Sequence, residues 1–301
     1  MIEVNSIMKK TASKLLFIIV AVFITWEMSF AEDISKPEEI IQKSFEYAMS
    51  LDSYSYLVLG EGWDMNPSDT ANRTAVVAGE AATSFKSVSG MAKDIKESAE
   101  ENSEEAKPEY KKYKCGVKFK KPFLLQMKVI MSEYVPQIIY GSLMTYRPDK
   151  NPDIFWFKPK ISPMAIKRDI NSESGDLLYS MMQHNYAIME SMSLNAEPAL
   201  TGTKEYEGKE LYQVEWAFKP DTEFKSLDVD FDKYMIHEAA RTRFQNSANS
   251  YIKDDIGKMV YYFDKDNLLV VMREVYNHDG SFRSRKQWKD LKINHLKEKD
   301  F

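Results

Sequence analysis

Between Tyr110 and Lys160 the chain alternates apolar and polar residues with a period of two, and the apolar members are large. In Phe123-Leu-Leu-Gln-Met-Lys-Val-Ile-Met131, positions 123, 125, 127, 129 and 131 are all apolar, while Gln126 and Lys128 take the other face. This is the pattern of a strand with one buried side. Ile138 to Tyr146 repeats it, with Ile138, Tyr140, Met144 and Tyr146 on one side, and Asp153-Ile-Phe-Trp-Phe-Lys158 adds a short run between prolines. Upstream, Lys111, Lys112, Lys114, Lys118, Lys120 and Lys121 interleave with Tyr113, Cys115, Val117 and Phe119, giving a strand with a basic outer face. Connections this short force antiparallel pairing, because a parallel crossover needs a dozen or more residues. The product is a curved antiparallel sheet faced with Phe, Met, Tyr and Trp. Such a face is either a solid core or an apolar cavity.

The start of the chain bears on where the sheet works. Lys9, Lys10 and Lys14 precede an apolar run of 12 residues, Leu15 to Trp26, followed by Ser29-Phe-Ala31. A basic segment, a short apolar segment and a small-x-small site make a secretory signal cut after Ala31. The run is short for a bilayer span, which takes about 20 residues; a retained anchor is the alternative. Cleavage leaves residues 32–301 as a single exported domain, periplasmic by expectation. Removal of three lysines and two glutamates takes the net charge from −5 to −6. That balance gives no electrostatic case for nucleic acid. One cysteine excludes an internal disulfide, so stability rests on the apolar core, with Cys115 expected as a buried thiol.

The mature chain opens on an amphipathic helix. Ser35-Lys-Pro-Glu38 reads as a capping box, and Ile40, Ile41, Phe45, Ala48 and Met49 form its apolar stripe. Tyr54 to Trp63 is the first strand. Residues 64–107 lack strand alternation and end in the acidic tract Glu97 to Glu105; they read as a mobile insertion. Ser174 to Met192 predicts a second helix whose apolar side carries Leu177, Leu178, Met181, Met182, Ile188, Met189 and Met192. That side serves either as ordinary core or, because methionine is flexible, as a deformable lid. Strands follow at 199–204, 211–219, 258–263, 268–276 and 281–293, with a helix between Asp232 and Gln245. The turns are Glu205-Tyr-Glu-Gly208, Asp264-Lys-Asp-Asn267 and Asn277-His-Asp-Gly280.

Chemistry-bearing motifs are lacking in the sequence. Four histidines and one cysteine have no metal-ligand spacing, so no metal, cofactor or catalytic residue is nominated, and His184 and His278 read as polar surface residues. Asp228-Val-Asp-Phe-Asp232 fails as a calcium loop, with Lys233 where glycine and Ala239 where glutamate belong.

Phe119-Lys-Lys-Pro-Phe-Leu-Leu-Gln-Met127 and Ile139-Tyr-Gly141 resemble the early strands of the exported lipoprotein-carrier (LolA/LolB-like) superfamily. Arg168-Asp-Ile-Asn-Ser-Glu-Ser-Gly175, Asp290-Leu-Lys-Ile-Asn294 and Asp300-Phe301 resemble more closely the exported bacterial family called domain of unknown function 1571. The resemblance implies an α+β fold, an unclosed antiparallel half-barrel with helices over its apolar concave side. It implies a carrier for the acyl chains of lipids or lipoproteins, with a basic residue before the early proline, here Lys121.

The function expected on these grounds is non-enzymatic binding of a lipid or acylated lipoprotein by a monomer, as a carrier or in handling of envelope lipid. The nominated lining is Phe123, Leu125, Met127, Tyr140, Met144, Phe155, Phe157 and Trp216, with Met181, Met182 and Met189 on the lid. The alternatives are a periplasmic sensor or scaffold domain binding an envelope protein partner and, behind it, an envelope hydrolase. N-terminal sequencing of the exported protein is expected to begin within a few residues of Glu32; a full-length, membrane-retained product would establish an anchor instead.

Overall fold

The computed structural model describes residues 34–64, 108–134, 140–160, 164–171, 178, 181–220, 222–250 and 256–301. The expected leader, all but the first residue of the expected insertion, Ile138 and Leu177 lie outside the described residues. Helix α1 (Pro37–Ser50) leads into β1 (Ser53–Asp64), β2 (Glu109–Lys120), β3 (Leu124–Ser132), β4 (Leu143–Tyr146), β5 (Ile154–Lys158) and β6 (Ile166–Asp169). Helix α2 (Met182–Ser193) then precedes β7 (Ala199–Tyr206) and β8 (Lys209–Ala217). Helix α3 (Arg241–Ala248) precedes β9 (Lys258–Asp264), β10 (Val270–Tyr276) and β11 (Phe282–Ile293).

All eleven strands form one antiparallel sheet in the order β6-β5-β4-β3-β2-β1-β11-β10-β9-β8-β7. The edge strands β6 and β7 do not pair, so the curved sheet is an unclosed half-barrel, and the helices cover its concave side. The chain walks outward from the central β1 to one edge, crosses the sheet through α2, and walks back from the far edge to β1. Ten inter-strand steps of about 4.8 Å make a wall roughly 48 Å wide along its arc. A helix of 12 residues is about 18 Å long. One helix cannot cover that wall, and α1 and α3 pack on either side of α2.

The turns between strands use the left-handed backbone region, chiefly at glycine. Glu207 and Gly208 close β7–β8 with φ of 51° and 76°, and Gly280 ends the β10–β11 turn at φ 80°. Gly60 is required for another reason: a Cβ there would lie 2.0 Å from the Tyr113 ring, its cross-strand partner. β6 was not anticipated; it pairs with β5 from Ile154–Asp169 to Phe157–Ile166.

Several boundaries move. The expected capping box does not form: Lys36 is the N-cap residue, with φ −113° and ψ 128°, and no side chain caps the helix. A residue before proline is pushed to extended backbone, so Pro37 fixes Lys36 outside the helix and strands Ser35 one position too early. Of the expected second helix, Met182–Ser193 is helical with Met181 as its extended N-cap, and the expected start at Ser174 lies outside the described residues. Between Asp232 and Gln245 the chain forms turns and a short 3₁₀ segment before α3, which runs on to Ala248. In β3 the alternation breaks after Val129. A bulge opposite Lys114/Cys115 turns Ser132 inward, and Met131 leaves the buried set.

Strand alternation gives the sheet two different faces. The concave face and helices enclose the main core, including Ile40, Tyr54, Val58, Phe119, Leu125, Tyr146, Phe155, Val214, Trp216 and Tyr261. On the convex face, Leu211, Val260, Tyr262 and Met272 make a second, small cluster. Tyr54 ties sheet to crossover: its hydroxyl donates to Gln183 Oε1 at 2.7 Å and accepts from the Met182 amide at 3.1 Å. Tyr54→Phe would leave both buried groups without that oxygen, and unsatisfied buried polar groups cost about 1–3 kcal/mol. A loss of stability of that size is expected in urea unfolding, with little change for the exposed Ser50→Ala.

Candidate functional site

The concave face is assembled by register. Tyr54 pairs with Phe119, Tyr56 with Val117 and Val58 with Cys115. Phe119 pairs in turn with Leu125, and Val117 with Met127. Leu125 lies opposite Tyr146 and Met127 opposite Met144; beyond them Tyr146 faces Phe155 and Met144 faces Phe157. On the other side of β1, Trp216 pairs with Met259, and Val214 with Tyr261. Aromatic rings interlock along this surface: Tyr54 stacks on Phe119 at 4.9 Å, Phe123 meets Tyr146 edge-on at 5.6 Å, and Trp216 meets Tyr261 at 5.8 Å.

Every nominated residue joins this core. Phe123, Leu125, Met127, Met144, Phe155 and Trp216 are buried in it, and Tyr140 and Phe157 are partly buried against it. Met181, Met182 and Met189 are buried too. The face is therefore filled as it stands. A cavity of about 10 Å³ lies beside α2, between Ile188, Met192, Phe218 and Met259. That is room for one water.

Helix α2 is buried on nearly every side, Glu190 and Ser193 excepted. Several of its polar groups are clamped, although the buried Asn185 Oδ1 has no hydrogen-bond partner among the described residues. Ser44 Oγ on α1 and Tyr186 Oη hydrogen-bond at 2.7 Å. Ser191 Oγ donates to Asn249 Oδ1 at 3.2 Å, and the Trp216 indole donates to Ser193 Oγ at 3.1 Å. Glu190 takes the Lys233 ammonium at 2.6 Å and the Tyr234 hydroxyl. Asn195 holds the main chain of Lys225 from both ends, accepting at 2.6 Å and donating at 2.9 Å. Asn249 does the same for Leu227, at 2.8 and 2.9 Å. Amide side chains here replace the ladder of an absent strand. Lys121 has a structural grip as well: its ammonium donates to the main-chain oxygen of Met49 at 2.7 Å, in the last turn of α1, where a cation suits the helix dipole.

Several buried polar residues escaped the sequence reading. His184 is not at the surface; it is 1 % exposed, on the face of α2 turned toward the Phe244 ring. Arg273 and Lys286 are cross-strand partners on the concave face, 6 % and 8 % exposed. A signal was present: each shares its strand face with an apolar residue two positions away, Val275 and Trp288. Burial holds the His184 imidazole neutral, far below the usual range, and nearby Lys286 and Arg273 add to the effect. Cys115 is the expected buried thiol, and burial pushes its pKa up to about 11 against a smaller opposing pull from Lys286. Among the described residues, no group of three or more His, Cys, Asp and Glu gathers to hold a metal. No described helix is long and apolar enough to cross a membrane.

No family model and no curated protein matches the sequence. Three solved structures illustrate its loose structural likenesses. The Mycobacterium tuberculosis lipoprotein LppX is 8% identical, with a TM-score of 0.40 over 86% of this chain and 96% of that one. A LolA-superfamily protein of Nitrosomonas europaea is 10% identical, with a TM-score of 0.30 over 89% and 98%. The MucA/MucB complex of Pseudomonas aeruginosa gives 6% identity and a TM-score of 0.37, over 87% of this chain and 58% of that one. At these scores none of them carries detail over to this chain.

The neutral His184 has a consequence for pH. Its folded pKa lies below the unfolded value near 6.5, so its share of the stability is present above that pH. As pH falls below about 6.5 the unfolded chain takes up a proton the native chain refuses, at up to about 1.4 kcal/mol per pH unit. Urea midpoints measured from pH 7.5 to 5.0 are expected to fall more steeply for the native sequence than for His184→Gln.

Proposed function

We propose that this chain is an exported, non-enzymatic binding protein of the lipoprotein-carrier type, monomeric and periplasmic, which takes an acyl chain of a lipid or acylated protein against its concave face. We read its nearest kinship as the domain of unknown function 1571, on the motif order along the chain. The observation that carries the proposal is α2. It is the crossover of an open sheet, its N-cap residue Met181 offers no side-chain cap, and it rests on a surface of methionine and aromatic side chains. An acyl chain entering beneath it exchanges one apolar neighbour for another. Each buried methylene contributes about 0.8 kcal/mol, so partial insertion already gives useful affinity. Met182, Met189 and Met192 on α2, with Met127, Met144 and Met259 on the sheet, are the side chains best able to repack around a ligand. A small cavity lies between α2 and the sheet at Ile188, Met192 and Met259. Lys121, in this reading, positions α1 over the early strands.

The reading makes α2 the element that opens, and an element that opens belongs to the low-stability end of a fold. Hydrogen exchange at the amides of α2 is expected to be faster than in β3, and to slow when a fluorescently labelled C16 acyl chain is titrated to saturation. Equal exchange in the two elements, together with no response to the acyl chain, would sink the carrier reading.

A further inference from the structure

The basic outer face of β2 has no part in the carrier reading, and across the folded sheet it widens into a patch. Lys112, Lys114 and Lys118 alternate with the inward Tyr113, Cys115 and Val117, so they stand on the convex side. Register carries the same face across the early half of the sheet. Gly116 pairs with Lys128 on β3, Lys128 with Leu143 on β4, and Leu143 with Lys158 on β5. In the next row Lys118 leads through Gln126, Thr145 and Trp156 to Lys167 on β6. Lys112, Lys128, Lys158 and Lys167 are exposed. Lys114, Lys128, Lys158 and Lys167 have no carboxylate partner among the described residues. The carboxylates on this face of β1–β6, among the described residues, are both engaged. Glu61 takes the Arg285 guanidinium at 3.1 Å, and Asp169 at the far edge accepts from the Asn171 amide at 2.7 Å.

Solubility does not dictate that concentration. The chain has a net charge of −5, and glutamate would solvate a convex strand as well as lysine does. Lysine also guards edge strands against wrong pairing, but β2 and β3 are interior strands. Lys112 and Lys114 lie two residues apart on one face, about 7 Å, where like charges repel. The late half of the convex face differs, carrying Glu215, Asp264 and Glu274 on β8, β9 and β10. A lysine patch set in an acidic chain points to an anionic counterpart. Its cations are spread over four strands instead of gathered round one point, which suits many small anions lying in a surface. Two aromatic residues stand at its end. Trp63 and Tyr110 are cross-strand partners on the same face, 45 % and 38 % exposed, with their rings edge-on at 5.5 Å. The Lys112 ammonium lies 5.9 Å from the centre of the Tyr110 ring. Exposed Trp and Tyr beside lysine suit a bilayer surface, where the rings settle at headgroup level and the lysine stems keep their charges in water.

We propose that the convex face of β1–β6 docks on a lipid bilayer rich in anionic headgroups, with Trp63 and Tyr110 at the interface and the lysines over the headgroup phosphates. Docking of this kind does not depend on acyl binding. It uses the face opposite α1–α3, so the concave side and its helices stay turned to the water.

The test is co-sedimentation of the full-length mature protein with vesicles of phosphatidylcholine, alone or mixed with phosphatidylglycerol. The acyl chains are the same in both, so a difference between them reports the headgroups. Binding to the mixed vesicles is expected to be at least about tenfold tighter at low salt, and to be lost at high salt. Lys114→Glu together with Lys128→Glu is expected to weaken it at least about tenfold, since each cation near an anionic surface is worth about fivefold. Lys219→Glu together with Lys225→Glu, an equal change of charge at exposed positions after β8, is expected to leave it unchanged. Circular dichroism melts establish that the variants fold, and the wild-type preference needs no variant. Tryptophan emission is expected to shift to the blue on binding, and most of that shift to disappear in Trp63→Phe. Equal binding to the two kinds of vesicle would overturn the proposal. Absence of binding to either would overturn it too, and leave the patch to an acidic protein partner, with the carrier reading intact. Equal loss in the two double variants would overturn it by showing that net charge alone draws the chain to the vesicles. An emission shift that survives Trp63→Phe would overturn the placement of the aromatic pair at the interface.

Discussion

Near-complete burial of α2 is the constraint on which the remaining architecture depends. A helix with apolar side chains all round needs walls on every side, and this one carries Gln183, His184, Asn185 and Ser191 among its buried residues. Each such group is costly to bury unless it is hydrogen-bonded. The neighbours of α2 meet several of them, and its Tyr186. Tyr54 rises from the sheet to Gln183, Ser44 comes down from α1 to Tyr186, and Asn249 reaches across from α3 to Ser191. None of these bonds is strong alone, since an ordinary one contributes about 1 kcal/mol net. Together they give one orientation to a helix whose methionine-rich surface would otherwise permit many.

Both faces of the sheet carry buried charge. On the convex side, Glu274 is 2 % exposed and fully accompanied: the Tyr262 and Tyr276 hydroxyls donate to it at 2.7 and 2.9 Å. The Arg285 guanidinium donates at 2.8 Å and also reaches Glu61 at 3.1 Å. Burial pushes the Glu274 carboxyl upward, but these donors more than offset it and hold the pKa below its usual range. Strands β10 and β11 thus carry an acid–base pairing outward through Glu274 and Arg285, and two cations inward through Arg273 and Lys286. Neighbouring residues in one strand place charged side chains on opposite faces of the sheet.

Much of the fold was legible because strand periodicity is a strong signal when one face is buried. Phe123 to Val129 and Leu211 to Ala217 show their inner faces in the sequence itself, and Gly208 and Gly280 mark the turns between strands. The nominated lining residues all fall in or against the concave core for the same reason. What sequence could not supply was depth. His184 and Lys286 look like surface residues because polarity alone does not reveal whether a helix face or a strand face is covered. Ile166–Asp169 escaped as a strand because Lys167, Arg168 and Asp169 leave too little apolar alternation to read. Whether the face was filled or hollow also depended on how closely α2 approaches the sheet, which no local pattern encodes.

The central position of β1 has a temporal meaning. Its partners are β2, the next strand in the chain, and β11, whose residues lie more than 220 positions later in the sequence. Contacts that distant must wait for the whole chain and for a large loop-closure entropy, which places such a sheet among the slow folders. Until the last strand arrives, β1 and β10 each offer an unpaired edge beside an apolar face, the combination most prone to wrong pairing. A protein crossing a membrane from its N-terminus first would carry those edges exposed until almost its final residues emerged. That interval, before β11 closes on β1 and β10, is when wrong pairing competes with folding.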